Sequence, residues 1–146
     1  MITIRQSTAS DGERVVEIWR RAVDATHDFL SAEDREAIDI EVQEFLPPMA
    51  LWLAVEEGTV LGFMGLSGSH LDALFIDPDY RGRGVGRLLV GHARRLEQSL
   101  TTDVNEQNPR ARGFYERMGF VAFGRSAKDD QGRPYPLIHM RLEPAG

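Results

Sequence analysis

Leu71-Asp72-Ala73-Leu74-Phe75-Ile76-Asp77-Pro78-Asp79-Tyr80-Arg81-Gly82-Arg83-Gly84-Val85-Gly86-Arg87-Leu88-Leu89-Val90 passes from an apolar run, through a glycine- and arginine-rich turn, into helical spacing. The run from His70 to Ile76 reads as a strand, and Asp77-Pro78 closes it because proline has no amide to offer a ladder. Val85, Leu88, Leu89, Ala93 and Leu96 then recur at the intervals of one helical face. A helix N-terminus carries unpaired amides and the positive end of the dipole. Glycines let backbone curl around an anion, and the arginines add positive field. The segment is therefore a phosphate cradle. It is not a dinucleotide fingerprint, because Arg87 stands where G-x-G-x-x-G, counted from Gly82, needs its last glycine. The Gly-Lys-Ser/Thr end of a Walker A loop is also absent. The spacing that fits is Arg/Gln-x-x-Gly-x-Gly/Ala, at Arg81, Gly84 and Gly86.

Outward from the cradle, Leu51–Glu56 and Val60–Leu66 flank Glu57-Gly58 as a hairpin. Residues 2–6 suit a first strand, and Ser10-Asp11-Gly12-Glu13 fits a capping box. Val15, Ile18, Trp19, Ala22 and Val23 form an apolar helical face. A polar stretch, Asp24 to Asp28, separates it from a second helix that Ser31 could cap, whose face repeats at Ile38, Val42, Phe45 and Leu46 before Pro47-Pro48 ends it. Downstream, Thr101–Asn105 suits a strand, and Pro109 opens a helix that runs to about Met118 with Gly119 as its cap. Phe120–Arg125 and Leu137–Leu142 suit a closing antiparallel pair joined by Asp129-Asp130-Gln131-Gly132. The order predicts one α/β domain over residues 1–146, a mixed sheet with helices on its faces.

The chain has 146 residues, a formal net charge of −6 and no cysteine. Disulfides, thiolate metal sites and cysteine nucleophiles are excluded, and no histidine spacing suggests a metal. The acidic balance argues against nucleic acid, although Arg81, Arg83, Arg87, Arg94 and Arg95 make a locally basic segment suited to a small anion. No run is long and apolar enough to span a membrane, and the N-terminus does not read as a signal peptide, so a cytoplasmic protein is expected.

A second segment, Asn108-Pro109-Arg110-Ala111-Arg112-Gly113-Phe114-Tyr115-Glu116-Arg117-Met118-Gly119-Phe120, fits N-x-x-A-x-x-F-Y-x-x-x-G-F at every fixed position. With the cradle, it makes the chain resemble the GNAT family of N-acetyltransferases. The resemblance implies a central mixed, largely antiparallel twisted sheet of about seven strands flanked by four helices and splayed between the fourth and fifth strands. It implies acetyl-CoA as the acyl donor. The pantetheine arm would pair with Leu74, Phe75 and Ile76. The pyrophosphate would meet the amides of Arg81, Gly82, Arg83, Gly84, Val85, Gly86 and Arg87, and Asn108 would contact the arm. Tyr115 would be the acid that protonates the departing sulfur. Helical spacing alone reads Phe114 and Tyr115 as core aromatics.

Transfer to an amine needs a neutral nucleophile, yet a lysine amine has a pKa of about 10.4. It also needs a donor for the oxyanion of a tetrahedral intermediate. His70, with Asp72 on the same strand face, is the candidate base. A water chain without a dedicated base stays open. His27 is a further candidate base or, with Phe29 in the loop the resemblance makes an acceptor wall, an acceptor contact, and Asn105 at the end of a strand could orient a water or the acceptor. The acceptor is a primary amine, either a protein or peptide lysine or a small amine. A non-catalytic acyl-CoA sensor and a nucleic-acid binder are the competing classes. The oligomeric state is open between monomer and homodimer.

Overall fold

Period-two burial governs the centre of the chain: Leu53 and Phe63 point to one face of a sheet, while Ala54 and Met64 point to the other. Both faces must therefore be covered. The computed structural model describes residues 1–26 and 29–144. In chain order the elements are β1 (Thr3–Gln6), α1 (Gly12–Thr26), α2 (Ala32–Phe45), β2 (Leu51–Glu56), β3 (Thr59–Ser67), β4 (His70–Ile76), α3 (Val85–Leu96), β5 (Leu100–Asn105), α4 (Pro109–Arg117), β6 (Val121–Ser126) and β7 (Leu137–Leu142). The strands form one sheet in the order β1-β2-β3-β4-β5-β7-β6. Every pairing is antiparallel except that of β4 with β5.

One core cluster holds Val15, Ile18 and Trp19 of α1 against Leu51, Leu53 and Phe63. The other holds Leu89, Val90 and Ala93 of α3 with Tyr115 of α4 against Leu61, Met64, Leu71 and Met140. The hairpin between β2 and β3 turns at Glu57 and Gly58, both with positive φ (50° and 80°), as a tight turn with the twist of its strands requires. Two arginines, Arg20 of α1 and Arg35 of α2, converge on Asp39 at 2.9 and 2.8 Å. Hydrogen bonds from Arg20 chiefly hold the Asp39 carboxyl well below the usual carboxylate range. Ser31 caps α2 by accepting from the Asp34 amide at 3.1 Å.

The strand positions match the sequence expectation closely, and the helix ends correct it. The capping carboxylate before α1 is Asp11, not Glu13: its Oδ2 accepts from the Thr8 amide at 2.8 Å, because a short 3-10 turn at Ala9–Asp11 precedes the helix. Asp24 to Thr26 continue α1 instead of separating the helices. Phe45 (62% exposed), Leu88 (41%) and Leu96 (49%) lie outside the core. The buried stripe of α3 is Val85, Leu89, Val90 and Ala93, rotated from the one the spacing suggested.

Candidate active site

β4 and β5 pair only at His70↔Thr101 and Leu71↔Thr102. Beyond those residues the two strands diverge, and a cleft of about 580 Å³ opens between Asp72–Ile76 on one side and Thr102–Asn105 on the other. Ala22 and Thr26 of α1 border it, and Phe114 and Tyr115 of α4 close its floor. β4 pairs with β3 along its other edge, from Gly62↔Ile76 to Ser67↔His70. Past Leu71 its other edge is not paired with β5 and faces the cleft, a template for an extended chain.

Asp77 fixes the turn at the end of β4. It is buried, accepts from the Asp79 amide at 3.0 Å and from Arg14 of α1 at 2.8 Å. Burial pushes its pKa up, but the Asp79 amide and Arg14 outweigh that and leave it lowered. The following turn passes through Gly82 and Gly84, each at φ 78°, in the left-handed region. Gly84 then precedes α3, and its carbonyl accepts from the Leu88 amide at 3.0 Å. The amides of Val85, Gly86 and Arg87 are left without helical partners at the mouth of the cleft. A Cβ on Gly86 would meet the Phe114 ring at 3.1 Å, so this glycine lets α3 and α4 approach.

Arg81, Arg87, Arg110 and Arg117 all line the cleft, and among the described residues no carboxylate pairs with any of them. Arg5, Arg14, Arg20 and Arg35, by contrast, each hold a carboxylate. Partial burial and then the neighbouring Arg110 charge lower the pKa of Arg81. A cluster of unneutralised guanidiniums beside free amides suits a diphosphate.

Tyr115 is 8% exposed and packs edge-on between Phe114 and Phe120, with ring centroids 5.2 Å apart in each pair. Burial pushes its hydroxyl up to about 12, against a smaller lowering by the Thr102 side chain. It is therefore a neutral donor at physiological pH. Asn108 is buried as the cap of α4, its Oδ1 accepting from the Ala111 amide at 3.1 Å, and it also borders the cleft.

Of the residues singled out from sequence, Leu74, Phe75, Ile76, Arg81, Gly82, Gly84, Val85, Gly86, Arg87, Asn105, Asn108 and Tyr115 line this one cleft. Arg83 does not: its guanidinium turns away to Glu56 of β2 and lies over the Tyr80 ring. Asp72 is exposed at the cleft edge and is bonded by the Ser67 hydroxyl. His70 lies outside the cleft. It lines a smaller groove with Glu41, Asp129 and Arg133, and its Nδ1 bonds the Thr101 hydroxyl at 2.7 Å. Phe29 packs against Tyr135 with centroids 5.9 Å apart. His27 lies outside the described residues. Sequence reasoning missed Thr102, Asp103, Arg110 and Arg117 of the lining. The signal for the two arginines was present in the basic first turn and last turn of α4.

The description "Acetyltransferase (GNAT) domain" belongs to the family model that matches residues 47–122. "Peptidyl-lysine N-acetyltransferase YjaB" of Escherichia coli is 57% identical over 96% of this chain and 96% of that protein. The protein of the same name from Salmonella typhimurium is 55% identical over 96% of this chain and 97% of its own. The solution structure of apo-form YjaB from Escherichia coli superposes with a TM-score of 0.94 at 55% identity, covering 99% of each chain.

Proposed function

The chain belongs to the GNAT acetyltransferase family, and from that premise we propose that it is an N-acetyltransferase that moves the acetyl group of acetyl-CoA to a lysine side chain of a protein or peptide. The observation that carries the reading is the parting of β4 from β5 into a cleft that the buried Tyr115 lines, with a helix N-terminus and arginines that pair with no carboxylate among the described residues at its mouth. The shape and charge of the cleft fit acetyl-CoA. The cleft-lining strand at Leu74–Ile76 would hold the pantetheine amides, and the amides of Val85, Gly86 and Arg87 with Arg81 would hold the diphosphate. The bound cofactor supplies a thioester carbonyl activated toward an amine.

Tyr115 lends a proton to the departing sulfur, a role suited to a hydroxyl kept neutral by burial. The neighbouring amides and the closed floor at Phe114 orient the donor, and orientation accounts for a large share of the rate. Lysine as acceptor rests on the similarity to the YjaB proteins, which are named peptidyl-lysine N-acetyltransferases. A protein with net charge −6 also attracts cationic acceptors. The test is acetyl-CoA-dependent thiol release against a panel of lysine peptides and free small amines. Thiol release matched by acetyl-lysine in the peptide is expected. Release with small amines alone would replace the acceptor class, and none with any amine would refute the enzyme.

A further inference from the structure

Asp72 and Asp103 are the first residues past the last β4–β5 pair, and both border the cleft as well as the smaller groove behind it. They differ in how they are held. Asp103 stands opposite His139 in the β5–β7 register, and its Oδ1 meets His139 Nδ1 at 2.6 Å. His139 Nε2 meets the Ser126 hydroxyl of β6 at 2.6 Å. On the other flank His70 Nε2 lies 3.5 Å from Asp103 Oδ2. One polar chain thus crosses β4, β5, β7 and β6 on a single sheet face and ends at the split. Among the described residues, Asp72 is bonded by the Ser67 hydroxyl alone.

We propose that Asp103 removes the proton from the acceptor ammonium, and that His139, fixed by Ser126, is the positioning residue that aims it. The proposal rests on the acetyl-transfer reading above. An ammonium entering by the groove passes one proton to Asp103 and becomes a neutral amine. Its lone pair forms the C–N bond to the acyl carbon, the C–S bond breaks, and that electron pair goes to sulfur. Tyr115 protonates the sulfur and is restored by the nitrogen's second departing proton. The proton on Asp103 leaves through the groove, one per turnover.

An ionised Asp103 carboxylate can only accept, so the proposed contact requires a proton on His139 Nδ1. Nitrogen-15 NMR of the protein without ligands reads this directly, and a ring protonated at Nε2 alone would overturn the chain of contacts. Asp103→Asn is expected to lower kcat on a lysine peptide about 10²-fold, with little change in KM or in coenzyme A affinity. His139→Ala should lose part of the same rate, and His139→Asn, whose amide N–H replaces Nδ1–H, should recover most of it. With a weakly basic acylhydrazide as acceptor, which is uncharged at neutral pH, the gap between Asp103→Asn and wild type should narrow. Unchanged kcat in Asp103→Asn, an effect on KM alone, or an undiminished gap with the acylhydrazide would each overturn the proposal while wild-type turnover stands. A wild type that acetylates no amine would instead remove the reading beneath it.

Discussion

The Tyr115 hydroxyl is the group on which both chemistry and burial bear. Its exclusion from water keeps it protonated through the physiological range and pushes it up to about 12. Tyr115→Phe retains the ring packing against Phe114 and Phe120, so coenzyme A affinity should be unchanged while kcat falls about 10²-fold. Equal kcat in the two proteins would remove Tyr115 from the mechanism. The same residue predicts an alkaline effect. An unfolded tyrosine ionises at about pH 10, ahead of the folded one, so the stability this group contributes is full below that pH and is lost as pH rises toward 12. Denaturant unfolding should therefore show the stability difference shifting in favour of Tyr115→Phe by about 1 kcal/mol between about pH 9 and about pH 11. At this scale the sequence was informative where a residue's role is local. Asn108 caps its helix and Gly84 takes its left-handed turn through neighbours a few positions away. The side-chain partners of Arg83 and Asp103, Glu56 and His139, were illegible because only the sheet brings them near.

The strand-turn-helix unit from β4 to α3 carries the proposed phosphate contact, and its backbone can be probed against a matched turn. Gly84 and Gly132 share a left-handed φ, 78° and 77°, and neither has an atom within 4 Å of an added Cβ. Alanine at either site should cost stability by a similar amount, about 1 kcal/mol, from backbone strain alone. Only Gly84→Ala should also weaken coenzyme A binding, by about tenfold, or about 1.4 kcal/mol. Isothermal titration of both variants checks this, and equal affinities would detach the turn from the ligand. Strand boundaries and the glycine turn before α3 were legible at this scale because alternation and glycine-proline punctuation are local signals. Helix rotation was not: spacing marks a stripe containing Leu88 and Leu96, but the angle at which α3 rests on the sheet buries Val90 in their place.

Across the whole molecule, the decisive feature is the single parallel contact in an otherwise antiparallel sheet. β5 follows a helical crossover and meets β4 for only two residue pairs before the strands part. The sheet continues on both sides of the gap, with β3 against β4 and β7 against β5, so each wall of the split is a hydrogen-bonded strand. No single segment encodes that opening, and only the family resemblance led the sequence reading to expect it. A chain of net charge −6 carries a cleft lined by Arg81, Arg87, Arg110 and Arg117, none of which pairs with a carboxylate among the described residues, so positive charge is concentrated where the diphosphate would sit. The most direct test of the account is an amide chemical-shift titration of the intact protein with coenzyme A at low and high salt. Saturable shifts centred on residues 81–87 and the cleft-lining strand at Leu74–Ile76, weakening as salt screens the arginines, are the predicted result. Saturation without perturbation of those amides, or no saturable binding, would contradict it.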